Sequence, residues 1–324
     1  MKHVPLKFLS IALVITFATG VADAAAYPDK PVRMLVGFAA GGGTDTTARV
    51  IGIPLAEALG QQIIVDNRPG AAGNIAADIT AHAVPDGYTI LMGTIAALAI
   101  NPSLYQKLPF DPIKDFEPIS LVVSSMNVLV VHPSVAAKSV KELIALAKSQ
   151  PGKLSYGSSG VGGAGHLAGV LFDQLAGTQM THVPYKGGAP AMIGLVGGEV
   201  NMVFATAETA IPQVKANKIR ALGVTTAKRS ALVPDLPTIA EAGLPGYEAN
   251  NWYGLVAPAK TPAAIVERLN REVVKVLNMP NVKEQLFRSG LDASPSTPKE
   301  FGTYIKSEMA KWSKVVKASG AKAE

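Results

Sequence analysis

Val36-Gly37-Phe38-Ala39-Ala40-Gly41-Gly42-Gly43-Thr44-Asp45 is the stretch on which the reading of this chain turns. An apolar run from Arg33 to Phe38 reads as a buried strand, and three consecutive glycines follow it. Thr44 and Asp45 then open an amphipathic helix with Ala48, Ile51, Leu55 and Leu59 on one face. Glycine there lets backbone N–H groups approach a ligand that a Cβ would hold off. The starting helix aims its free N–H groups, and roughly half a positive charge, at the same point. The product is an anion-sized socket that needs no basic side chain. The glycines do not form G-x-G-x-x-G, and the P-loop pattern is absent, so a nucleotide is disfavoured. A ligand-free βα turn is the plainer alternative.

A second copy of the unit weighs against that alternative. Leu154 to Tyr156 is a short strand, Gly157 to Gly165 is a glycine-rich loop, and His166 to Leu175 is a helix ending at Gly177. With Gly177 set over Gly60, Gln179 falls on Gln62, Gly187 on Gly70 and Ala189 on Ala72. The strands starting at Gly87 and Gly198 also correspond. Two such loops facing each other across a cleft would grip opposite sides of one small ligand.

Between the copies the chain alternates strand and helix, with a strand from Tyr88 to Met92 running into Gly93-Thr94. This order predicts parallel sheets with ligands at the carboxyl ends of strands, where Thr94 lies. Ile119 to Val131 reads as an extended crossing into a second lobe, and Asn251 to Val256 as the return. The expected division is residues 27–127 plus 250–324 for the first lobe and 128–249 for the second. Such a length suits two cores rather than one.

Residues 1–26 read as a cleaved signal peptide. Lys2 and Lys7 precede an apolar centre from Phe8 to Ala18, and small residues mark the cleavage region. Removing Lys2, Lys7 and Asp23 from 30 basic and 24 acidic residues leaves 28 against 23, a net charge of +5. The charges are scattered with no basic stripe interleaved with aromatics, which argues against nucleic acid. There is no cysteine, so thiol catalysis and cysteine-ligated metal are excluded. The histidines remaining after cleavage, His82, His132, His166 and His182, lack metal-ligand spacing, and only His166 is placed to line a cleft. Ser158 and Ser159 sit in no nucleophile elbow. Asp45 is either a helix-start acid or an acceptor tying down its own loop. Neither a cofactor nor a catalytic set is expected. An exported enzyme acting on an organic acid, or a ligand-sensing partner protein, stays open as an alternative.

Several motifs resemble the Bug-type (TctC-like) solute receptors of tripartite tricarboxylate transporters. They include Tyr27-Pro28-Asp29-Lys30-Pro31-Val32, Gly41-Gly42-Gly43-Thr44-Asp45 and Asn67-Arg68-Pro69-Gly70-Ala71-Ala72-Gly73. Others are Tyr156-Gly157-Ser158-Ser159-Gly160, His166-Leu167-Ala168-Gly169, Val183-Pro184-Tyr185-Lys186-Gly187 and Trp252-Tyr253-Gly254. The resemblance spans essentially the whole mature chain. It implies an α/β, two-lobe periplasmic binding protein of type II-like form, each lobe a mostly parallel sheet flanked by helices with the ligand cleft between them. It further implies a monomer that delivers a dicarboxylate, tricarboxylate or aromatic acid to membrane transporter subunits. The expected ligand-binding set is Phe38, Gly41, Gly42, Gly43, Thr44, Asp45, Thr94, Ser158, Ser159, Gly162, Gly163, Ala164, His166, Tyr185 and Ala205. The family often has an aspartate where this chain has Ala205, with Met126, Tyr185 and Ala207 as expected apolar or weakly polar neighbours. A buried ammonium lacking an acceptor would be unpaired. A non-amino acid ligand is therefore expected.

Overall fold

The computed structural model describes residues 27–319 and 322–323, so the expected targeting segment lies outside the described residues. The first lobe begins with β1 (Val32–Val36), α1 (Gly43–Leu59), β2 (Ile63–Asn67), α2 (Asn74–Ala81) and β3 (Thr89–Thr94). A π-helical turn, Ala96–Ile100, then runs into α3 (Asn101–Leu104). The strand β4 (Phe116–Ser125) leads directly to β5 (Asn127–Val131) in the second sheet, with only Met126 between them. The second lobe continues as α4 (Val140–Ser149), β6 (Ser155–Ser158), α5 (Ala164–Ala176), β7 (Thr181–Pro184) and α6 (Gly188–Val196). It ends with β8 (Met202–Thr206), α7 (Ala207–Lys215) and β9 (Arg220–Val224). The chain returns through β10 (Asn251–Pro258) and finishes with α8 (Ala263–Leu277), α9 (Pro280–Arg288), β11 (Leu291–Ala293) and α10 (Pro298–Ser319). Among the described residues no helix is long and apolar enough to cross a membrane.

The strand orders are β11-β4-β10-β3-β1-β2 and β7-β6-β8-β5-β9. Both sheets are mixed: most strands of each run one way, with β10 and β11 opposed in the first and β5 in the second. β1 pairs parallel with β2 and β3, and β6 parallel with β7 and β8. β10 is antiparallel to both β3 and β4, and β5 is antiparallel to β8 and β9. The reason is topological. A chain that leaves a lobe along one strand must come back along another running the opposite way, and the βα units alone do not reveal this.

Both faces of each sheet are covered, as the nearly continuous apolar strands require. On β1, Met34 and Val36 pack under α1 with Ile51 and Leu55, while Leu35 faces the opposite layer. That opposite layer runs through both lobes and includes Leu98, Leu129, Phe172, Phe204, Trp252 and Trp312. α10 closes it, with buried Glu308 accepting from the indole N–H of both Trp252 (3.1 Å) and Trp312 (3.3 Å).

The internal repeat is visible in backbone angles. Gly41 and Gly162 have φ of 78° and 84°, Gly70 and Gly187 of 140° and 141°, and Gly87 and Gly198 of 81° and 77°. A φ near 140° is open to glycine alone, which explains the paired positions that follow β2 and β7. The two loops are also clasped alike. Gly41 N–H donates to Asp45 Oδ2 (2.9 Å), and Gly162 N–H donates to His166 Nδ1 (3.1 Å), each four residues on. An aspartate and a histidine thus do the same job.

The histidine clasp has a consequence for pH. To accept from Gly162, His166 must be the neutral tautomer protonated at Nε2. Its ring stacks on His182 with centroids 4.0 Å apart, and His182 Nε2 lies 2.6 Å from Ser158 Oγ. Burial lowers His166 to about 4, and burial followed by the charge of His166 lowers His182 to about 3. In the unfolded chain both titrate near 6.5, so below that pH the unfolded state binds more protons than the folded one. The stability these rings confer is complete above pH 6.5 and is lost as the pH falls towards 4. Thermal unfolding of the wild type and of a His166→Asn, His182→Gln variant between pH 7.5 and 4.5 should show a shallower loss in the variant. Equal slopes would mean that the two rings are not held neutral.

Candidate functional site

Helix starts define the site. Five helical segments point their N-termini into one cavity at the seam between the lobes. Gly42 and Gly43 come from the start of α1, and Ile95 and Ala96 from the turn after β3. The second lobe contributes Ala164 and Gly165 of α5, Gly188 of α6, and Thr206, the N-cap of α7. Each start follows a strand end, which is how one small cavity can collect so many. The enclosed volume is about 50 Å³, room for a few waters, and the lobes meet closely around it. Tyr105 donates across the seam to Val161 O at 3.2 Å, and a Cβ on Gly187 would lie only 3.1 Å from Ala39 N.

Neither lysine, arginine nor histidine lines this cavity, so positive potential there comes from backbone. Three side-chain atoms of its wall are buried without a partner: Thr94 Oγ1 and both polar atoms of Asn127. Buried polar groups are ordinarily satisfied, so each marks a place where a ligand atom would fit. Tyr253 also lines the cavity. Its hydroxyl accepts from Asn251 Nδ2 (3.2 Å) and donates to Glu208 Oε1 (3.3 Å). Burial raises its pKa well above the ordinary phenol value, so it stays a phenol.

Of the expected residues, Phe38, Gly42, Gly43, Thr44, Thr94, Ser159, Ala164 and Ala205 come together in this wall. Others stand one layer back. Asp45 is turned away to hold Gly41 N–H, Arg49 and Asn67 Nδ2, so the loop acceptor, not a free helix-start acid, describes it. Gly41 is the group it holds, and Gly162 is likewise held by His166. Ser158 Oγ is engaged with Gly160 and His182, and Gly163 is packed on Ser159 Oγ, where a Cβ would sit at 2.6 Å.

Tyr185 does not reach the cavity. Its hydroxyl donates to Glu199 Oε2 (3.0 Å), and it borders a separate groove at the outer mouth with Lys186. Met126 opens onto the opposite, hinge side, and Ala207 is buried in the second lobe's core. One premise is corrected. Ala205 lines the cavity, yet a carboxyl is close by, because Glu208 folds into the wall behind Gly43. Three residues and one helical turn place it where the aspartate's absence suggested nothing acidic.

The reading of the sequence also missed Ile95, Ala96, Asn127, Gly188, Thr206, Asn251 and Tyr253. For Asn127 and Asn251 a signal existed, since each is a polar residue at the end of an apolar crossing strand. For the α6 start, Gly187 matched to Gly70 was such a signal, and for the α7 start there was none.

Residues 47–321 match the family described as tripartite tricarboxylate transporter family receptor, TctC. Among solved structures, the chain is similar to Rpa4515 of Rhodopseudomonas palustris, determined with adipate: 39% identity, TM-score 0.89, 91% of this chain and 98% of that one covered. It is similar to the periplasmic binding protein BugD, with 34% identity, a TM-score of 0.88, and 92% and 100% of the two chains covered. It is also similar to MatC of Rhodopseudomonas palustris, determined with bound malate, with 33% identity, a TM-score of 0.86, and 90% and 100% covered. These neighbours are binding proteins, and two of them hold carboxylates. The chain belongs to the tripartite tricarboxylate transporter receptor family and has the two-lobed fold of its periplasmic binding proteins.

Proposed function

We propose that this protein is exported to the periplasm, closes its two lobes on a small organic dicarboxylate, and delivers it as a monomer to a tripartite tricarboxylate-type membrane transporter. The observation that carries the reading is the convergence of helix N-termini on a seam cavity free of basic side chains. A carboxylate there gains charge-assisted hydrogen bonds from backbone N–H groups, worth about 1.5–3 kcal/mol each. Thr94 on β3 and Asn127 on β5 supply further polar contacts from the two sheets. Adipate and malate in the related proteins support a linear, non-amino diacid as the ligand class. The lobes are residues 27–127 with 250–324, and 128–249. Their relative motion is hinged at Met126 and at Asn250–Asn251, where the two crossings lie side by side.

A thermal-shift panel tests the class. Adipate, malate, succinate and citrate, set against aspartate and glutamate, should raise the unfolding midpoint, with a diacid leading. A ligand at a hundredfold excess over its Kd stabilises by ~2.7 kcal/mol, which is easily read. An amino acid giving the largest shift would defeat the class assignment, and no shift from any acid would defeat the receptor reading.

Thr94→Val tests the orphaned hydroxyl. The change is nearly isosteric and removes one buried, unpartnered group, so the ligand-free protein should be as stable or slightly more so. Affinity for the best diacid of the panel should fall by roughly tenfold, about the worth of one hydrogen bond. Unchanged affinity in calorimetry would place the ligand elsewhere.

A further inference from the structure

Glu208 is the buried acid that the binding reading leaves unused. It is the second residue of α7 in the second lobe, and its carboxyl crosses the seam to the first. Oε1 accepts from Tyr253 and fills the space beside Gly43, where a Cβ would overlap it. Oε2 is buried and has no partner. Among the described residues no cation faces the carboxyl. The β8 strand offers Thr206, β5 offers Asn127, and α6 has no titratable residue. From α1 comes Thr44, with Asp45 and Arg49 paired to each other instead. From β10 come Tyr253 and Asn251.

Burial without a counter-charge outweighs the hydrogen bonds that this carboxyl receives, so its ionised form is disfavoured. The open form is different. Parting the lobes takes Gly43 and Tyr253 away and returns the carboxyl to water, where the ordinary acid ionises. Resting on the proposed reading that the ligand is a diacid, a second anion then stands next to the same wall when the lobes close.

We propose that Glu208 enters the closed cleft as the neutral acid, so that closure on an anionic ligand takes up one proton and opening releases it. The proton sits on Oε2, since Oε1 is already the acceptor for Tyr253. Burial pushes the group up to about 7 in the closed form, from the ordinary value near 4.5. The sign follows. Protonation favours the closed form, so affinity is greatest at low pH, falls as the pH rises through the interval between the open and closed values, and levels off above the closed one. Glu208 is thereby a positioning residue that links ligand retention to pH.

The test is calorimetric titration with adipate and with malate at pH 6 and 8, on the native protein and Glu208→Gln. Glutamine keeps the acceptor for Tyr253 and cannot ionise. The native Kd should weaken about tenfold from pH 6 to pH 8, with proton uptake seen as a heat that varies with buffer ionisation enthalpy. The variant should bind with no such change. A native slope retained in the variant, or no slope in the native protein, overturns the proposal. Tight binding of aspartate or glutamate, lost in the variant at both pH values, also overturns it, because Glu208 would then be ionised against an ammonium. If neither diacid binds, the binding reading has failed, and Glu208 is read directly by ¹³C-labelled glutamate side-chain resonances in protein whose lobes are held closed by a cross-link. A resonance titrating near 7 that is missing from the variant upholds the neutral acid, and its absence refutes it.

Discussion

Everything in this fold depends on bringing helix N-termini together at one closely packed seam. A single exposed helix end contributes about 0.3–1 kcal/mol to an anion, and rather more when partly buried. Five ends converging on one seam create a site for negative charge without any basic side chain. The arrangement sets demands on the rest of the chain. Strands must end at the seam, the turns after them must be short, and the loops must hold still while carrying few side chains. Asp45 and His166 meet the last demand by taking the N–H of the glycine four residues earlier.

The same economy governs the contact between lobes. Ala39 faces Gly187, Gly42 faces Gly188 and Ala189, and Gly43 faces Glu208, so the loops approach to backbone contact. Few hydrogen bonds cross the seam, with Tyr105 to Val161 and Tyr253 to Glu208 as the described examples. Such a seam is well suited to opening. The cost of closing it falls on buried polar groups, namely Thr94 and Asn127, which await a partner, and Glu208, which lacks a counter-charge. On the proposed reading, ligand binding and proton binding are two ways of satisfying the same buried interface.

The family's likeness to receptors holding adipate and malate agrees with a site built for charge rather than for shape. Backbone donors read a carboxylate wherever it occurs. On the proposed reading, discrimination among acids falls to the side chains between the helix ends, such as Phe38, Ala205, Asn127 and Tyr253.

The sequence by itself determined the local features. Three adjacent glycines before an amphipathic helix can be little else than a strand–loop–helix turn, and the second copy at Gly157 to Gly165 identified the pair. Gly70 and Gly187, matched by spacing alone, share one backbone conformation that other residues resist. Of the eight expected site residues that stand in one wall, all but Thr94 and Ala205 lie within a few residues of those glycines. What only the tertiary structure decided are the long-range placements. The antiparallel strands arise from the return of the chain, the start of α7 carries no glycine fingerprint, and Glu208 lies beside Gly43 across 165 positions of sequence. Tyr185 faced away, and Asp45 and His166 turned into their own loops, because a side chain's direction is set by the partner that packing provides. Sequence spacing fixes which backbone can form, whereas the satisfaction of buried polar atoms is settled only when distant segments meet.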